Sequence, residues 1–151
     1  MFCFGVCKKQ WFVGIALVCL TFASCGPKYT NATVKGVLRI DGKPAPRGVK
    51  LMFQPEGSGG SPSYGYTNDN GEYTLRFNAQ NKGANAGKNL VSIGVEMQFD
   101  DNGEPELVGD LADIRARLPD KVSFNSELYK TIELGPNTID IDVELDNKKK
   151  K

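Results

Sequence analysis

From Ala32 onward the chain alternates apolar and polar residues with a period of two, and this pattern constrains the fold more than any other feature. Successive side chains of a strand point to opposite faces, so such alternation describes strands with one buried and one wetted side. Val34, Gly36, Leu38 and Ile40 share one face, with Lys35 and Arg39 on the other. Val49, Leu51 and Phe53 alternate with Lys50, Met52 and Gln54, and Tyr73, Leu75 and Phe77 with Glu72, Thr74 and Arg76. The pattern returns at Val91, Ile93, Val95 and Met97, at Ile132 and Leu134, and at Ile139, Ile141, Val143 and Leu145 against Asp140, Asp142, Glu144 and Asp146.

Turn-forming residues separate these runs: Asp41-Gly42, Pro44 and Pro46, Gly57 to Pro62, Asn68 to Gly71, Gly83 to Gly87, and Gly135-Pro136-Asn137. Short strands at this spacing predict an all-β fold, a single antiparallel Greek-key β-sandwich of about seven strands. One stretch has a different period. Leu107, Leu111, Ile114 and Leu118 recur every three or four residues, Asp113 and Arg117 form an i,i+4 pair, and Pro119 follows, which predicts one short helix over Glu106 to Leu118.

The first 24 residues read differently. Lys8 and Lys9 precede about a dozen mostly apolar residues, Trp11 to Phe22, and Ala23 and Ser24 supply small side chains, the order of a secretion signal. A bilayer-spanning helix needs roughly 20 apolar residues, more than this run offers. The four cysteines are Cys3, Cys7, Cys19 and Cys25, so once the signal is removed Cys25 has no disulfide partner within the domain. A lone thiol in an exported protein points to an intermolecular bond or a modification. The expected organisation is a signal peptide over 1–24, Cys25 and a tether over 25–31, a sandwich over 32–146 and a basic tail over 147–151.

Net charge bears on partners. The 151-residue chain is formally +1, and without residues 1–24 it carries 17 basic against 18 acidic side chains, four of the former in Lys148 to Lys151. A near-neutral, mildly acidic body lacks the electrostatic footprint of a nucleic-acid-binding protein.

Two family resemblances sharpen these expectations. The order Phe22-Ala23-Ser24-Cys25, with Gly26 behind it, resembles the lipobox of bacterial lipoproteins. That resemblance implies cleavage before Cys25 and a diacylglycerol on its sulfur, and acyl chains contribute about 0.8 kcal/mol per buried CH₂. The segments VKGVLRIDGKPAPRGVKLMFQPE (34–56), TNDNGEYTLRF (67–77), GANAGKNLVSI (83–93), LPDKVSFNSEL (118–128) and ELGPNTIDIDVEL (133–145) together resemble the carboxypeptidase regulatory-like, or transthyretin-like, β-sandwich domains of small bacterial lipoproteins. These motifs are glycines, prolines and strand hydrophobes, so they specify a fold rather than a chemistry. The resemblance implies a non-catalytic binding or structural module, exported and anchored through Cys25 to a membrane of the cell envelope, facing the periplasm or the cell surface. An envelope protein or polysaccharide is then the expected partner, with no cofactor.

The remaining candidate sites are few. The chain contains no histidine, and the expected mature domain no cysteine beyond Cys25, which removes Ser-His-Asp and Cys-His catalysis and zinc sites of the usual ligands. GANAGK has three residues between its glycines where a phosphate loop needs four, and Asn89 follows the lysine, so it reads as a turn. Asp100, Asp101, Asn102 and Glu104 are candidate Ca²⁺ ligands, as is the Asn68 to Glu72 cluster, although Asp and Asn with Gly also simply make tight turns. Tyr64 and Tyr66, with Phe53 or Phe99 nearby, are candidates for stacking on a sugar ring, giving a calcium-assisted carbohydrate-binding domain as the alternative function. The Asp140 to Asp146 stripe reads as a solvated strand face paired in part with Lys35 and Arg39.

Overall fold

The computed structural model describes residues 32–57, 60–96, 98–99, 105–106 and 109–147. The signal segment, Cys25 and the lysine tail lie outside them.

Two sheets pack face to face. In the first, β1 (Thr33–Ile40) is central: β5 (Glu72–Thr74) and β2 (Lys43–Pro44) flank it on one side, β10 (Pro136–Thr138) and β11 (Ile141–Val143) on the other. The second has the order β4-β3-β6-β9, formed by Ser63–Tyr66, Val49–Pro55, Gly87–Val95 and Tyr129–Ile132. A two-stranded ribbon pairs β7 (Gln98–Phe99) with β8 (Pro105–Glu106). The chain crosses between the sheets after β2, β4, β5 and β9, so the core forms only when segments far apart in sequence meet.

The alternation seen in sequence is the inside-outside pattern of the sandwich. Val34, Leu38, Leu51, Phe53, Leu75, Val91, Ile93, Ile132 and Ile141 are almost wholly buried in one core, while Lys35, Glu72, Thr74, Asp142 and Glu144 are exposed. Phe53 and Tyr73 meet across the two layers with ring centroids 6.3 Å apart. Leu134 is the exception to the expected parity: it is 73% exposed because the chain leaves β9 at Ile132 and turns. Asn137 holds that turn, its carboxamide oxygen accepting from Glu133 N and its NH₂ donating to the Glu133 and Gly135 carbonyls.

Three details differ from expectation. The sheets hold nine strands rather than about seven: Ser63–Tyr66 forms a strand that the apolar pattern does not mark, β2 adds a short edge, and the closing run splits at Ile139–Asp140. Secondly, β10 and β11 run parallel to β1, with Thr33 opposite Pro136 and Leu38 opposite Ile141. Antiparallel pairing is dictated by a short hairpin, and with most of the domain between these strands no such constraint acts. Thirdly, the helix, α1, is only Asp110–Arg117: Glu106 belongs to β8, and Gly109 at φ 66° cannot continue a helix backward. Its end is as predicted, since Pro119 keeps Leu118 extended and Arg117 bonds Asp113 at 2.8 Å.

The break at Ile139–Asp140 is bonded into the sheet by side chains. The Tyr73 hydroxyl donates to Ile139 O at 2.6 Å, and Asp140 Oδ1 accepts from Val37 N at 2.9 Å. Burial, followed by the nearby Asp140 carboxylate, pushes the Tyr73 hydroxyl well above the usual tyrosine range, so it stays a donor. Of the acidic stripe, Asp140 and Asp142 lie 3.7 and 3.6 Å from Arg39. Lys35 takes no part in that pairing, because register sets it opposite Thr138.

Candidate functional site

Strand β4 carries the site, and its sequence Ser-Tyr-Gly-Tyr explains how. Ser63 and Gly65 face inward and are buried, which leaves Tyr64 and Tyr66 on the outer face of the four-stranded sheet. The inward position of Gly65 is tight: a Cβ there would stand 3.1 Å from Leu75 Cδ2 and 3.2 Å from Thr74 O, where β4 comes close to β5, so a side chain would need its neighbours to give by a few tenths of an ångström. Mutual backbone hydrogen bonds of 2.8 Å between Tyr64 and Arg76 then join the two sheets along this edge. Small residues inside and aromatics outside invert the usual parity of a strand.

Register brings the rest of the site together. Lys50 lies opposite Tyr66 and Met52 opposite Tyr64 across the β3–β4 ladder, so all four side chains share the outer face. The Lys50 ammonium stands 4.9 Å from the Tyr64 ring centroid and 5.8 Å from that of Tyr66, within cation–π range. Glu96, one residue past β6, accepts a charge-assisted hydrogen bond from Lys50 on one oxygen and from the Tyr66 hydroxyl at 2.8 Å on the other. A single carboxylate thus fixes the positions of a cation and an aromatic ring, while Tyr66 stays 49% exposed. Beside them lies a groove of about 670 Å³ walled by Tyr64, Tyr66, Lys50, Glu72, Arg76 and Phe77. Apolar ring faces next to mixed donors and acceptors suit a polar ligand that also has an apolar face.

The hydrogen bond from Lys50, and then that from Tyr66, holds the Glu96 carboxyl below its ordinary 4.5. Conversely, the bond to Glu96 raises Lys50 above 10.5. Partial burial, with Glu96 second, raises Tyr66 above 10.0. The signs define where the clamp contributes. A depressed carboxyl stabilises above its unfolded value and loses that contribution as pH falls through the folded one; a raised lysine stabilises below 10.5 and loses it as pH rises further. The clamp is therefore complete at neutral pH and opens below 4.5. With Glu96 about half exposed, solvent screening keeps its contribution under about 1 kcal/mol. Glu96→Gln is expected to cost no more than that in urea unfolding at pH 7, with the difference from wild type shrinking as pH falls from 4.5 through the lowered value of the folded carboxyl. A cost that does not change with pH on the acid side would refute the assignment.

Other sequence candidates fall elsewhere. Phe53 is fully buried on the inner face, opposite Ser63, and is a core residue rather than a partner of the tyrosines. Phe99 falls in β7. The candidate calcium ligands Asp100, Asp101, Asn102 and Glu104 lie outside the described residues. The Asn68 to Glu72 cluster is a turn: Asn68 Oδ1 accepts from the backbone N–H of Asn70 and Glu72, both at 2.9 Å, and its NH₂ donates to the Glu72 carboxylate. Among the described residues no three His, Cys, Asp or Glu side chains converge as metal ligands would. Gly83 to Ala86 connects into β6, with Ala84 bridged to Ala32. Lys50, Arg76 and Glu96 were not marked by sequence, because nothing local to them reports a register across three strands.

The fold is an all-β sandwich with one short helix, and its outer sheet face presents an aromatic, charged groove. Comparison with protein-family models and with curated proteins finds no match to the chain.

Proposed function

We propose that this protein is an exported bacterial lipoprotein, held at a membrane of the cell envelope by acylated Cys25, and that its sandwich is a non-catalytic binding module. The lipobox-like order ahead of Cys25 supports the anchor, and the resemblance to carboxypeptidase regulatory-like domains supports the module. The observation that carries the binding role is the groove at Tyr64 and Tyr66. Two aromatic rings on an outer sheet face, one of them positioned by Lys50 and Glu96, form a pre-organised surface that contributes nothing to the core. A 25–31 tether behind the lipid would leave that face free to meet an envelope component.

Both parts have direct tests. Cys25→Ser should abolish membrane attachment and leave precursor with residues 1–24 still present; a mature-sized protein in the membrane fraction would refute lipidation. Chemical cross-linking in intact envelopes should capture a partner with the native protein and lose it with Tyr64→Ala/Tyr66→Ala. Equal capture by the double variant would refute the groove as the binding surface.

A further inference from the structure

We infer that the ligand is a linear, uncharged glycan that lies across the strands of the four-stranded sheet, and that Phe124 is its second aromatic platform. This rests on reading the Tyr64–Tyr66 groove as a ligand site. On the same side of the molecule is a second cavity of about 490 Å³, walled by Met52, Ser92, Val95, Arg115, Leu118 and Phe124. Lys50 lines both cavities. Met52 and Ser92 face each other across β3 and β6, as Met52 and Tyr64 do across β3 and β4, so the second cavity continues the first across the sheet. Strands are spaced about 4.8 Å apart, so crossing from β4 to β6 spans about 10 Å, with a cavity at each end of that path. The site therefore suits a chain of several units better than one small molecule.

Phe124 is 91% exposed. A solitary exposed phenylalanine signifies nothing on its own. Phe124, however, stands at the wall of a cavity that shares a lysine with a two-tyrosine groove, in the loop that follows α1 and the 3-10 turn Asp120–Val122. It gives the second cavity the same type of surface that Tyr64 and Tyr66 give the first.

Charge and backbone select the chemical class. Lys50, Arg76 and Arg115 line the path together with Glu72 and Asp120, and Glu96 is bound to Lys50, so cations and carboxylates are matched along it. A polyanion would meet the carboxylates; hydroxyl groups, which both donate and accept, can use groups of either sign. An extended polypeptide would need unpaired backbone to add to. Under the tyrosine groove the floor offers none, since Lys50 to Phe53 of β3 pair with β4 on one side and with β6 on the other. Sugar rings need only stacking faces and side-chain hydrogen bonds, and both are present.

The test uses the full chain in detergent. Native affinity gels containing soluble β-glucan, xylan, mannan or polygalacturonate, and one containing casein as an unfolded polypeptide, identify the class; calorimetry with the matching hexa- and disaccharide follows. At least one neutral polysaccharide should retard the protein, and the hexasaccharide should bind at least tenfold more tightly than the disaccharide. Phe124→Ala should weaken the hexasaccharide about tenfold, the scale of a lost aromatic contact, and leave the disaccharide unchanged. Tyr66→Ala should weaken both. Retardation by no neutral polysaccharide, or by polygalacturonate or casein alone, overturns the inference. Equal binding of the two lengths, or a silent Phe124→Ala, overturns the extended site while the tyrosine groove stands. If a sugar binds and Tyr64→Ala/Tyr66→Ala is silent, the reading of the groove itself fails.

Discussion

Phe53→Ala should destabilise the domain by about 3–5 kcal/mol, the range for truncating a buried phenylalanine, because the surrounding walls relax only partly into the cavity. Among the described residues Phe53 is the largest fully buried side chain, and its ring meets Tyr73 of the facing layer. It lies on β3, which pairs on both sides, so the backbone around it has little freedom to collapse. Domains of this kind are stable by only about 5–15 kcal/mol, so the variant should populate unfolded chain near physiological temperature. Urea unfolding gives the check: a large fall in midpoint with unchanged slope is expected. A loss below 1 kcal/mol would mean that Phe53 is not in the core, and the inward parity of β3 would be wrong with it.

Gly36→Ala should have an effect of similar size for the opposite reason, too little space rather than too much. A Cβ at Gly36 would run into the carbonyl group of Ile139, at the break between β10 and β11. That carbonyl cannot easily move aside, because it accepts from the Tyr73 hydroxyl, and Ile139 N donates to Lys35 O at 2.8 Å. Overpacking costs about 1–3 kcal/mol where neighbours yield and more where they do not, so about 3 kcal/mol is expected. Tyr73→Phe alone should cost about 1 kcal/mol, the net value of one hydrogen bond. In the double variant the freed carbonyl can shift, so the two losses should fall short of additive by at least about 0.5 kcal/mol. Strict additivity would show that Gly36 and Tyr73 do not act on the same atom.

Much of this architecture was legible in the sequence, and the reason is local. Alternation of period two assigns a face to every residue of a strand without reference to any partner. Alternation alone therefore assigns Val34, Leu38, Leu51, Phe53, Val91, Ile141 and Val143 to one face, and all seven are in the core. The end of α1 was equally local, written in Asp113, Arg117 and Pro119. Its start was not, because Leu107 and Leu111 fit the helical spacing, whereas Gly109 adopts a backbone angle outside it. The strand Ser63–Tyr66 escaped for a related reason: with Ser63 and Gly65 inside, the apolar signal of the strand points to solvent.

Tyr64 and Tyr66 were marked by residue type, but their neighbours were not. Lys50 is 46 residues from Glu96, and Tyr66 is 30. Phe53, the very next residue after Met52, sits on the other face. Parity along one strand follows from the backbone alone, since consecutive side chains must alternate. Which strands lie side by side, in what register and direction, depends on how several strands bury their apolar faces together. The sequence by itself determined a two-faced, strand-built domain and the candidate residues it displays. Only the tertiary structure decided that β11 runs parallel to β1 and that Lys50, Tyr66 and Glu96 form one clamp, because those outcomes are set by contacts between segments that carry no local record of each other.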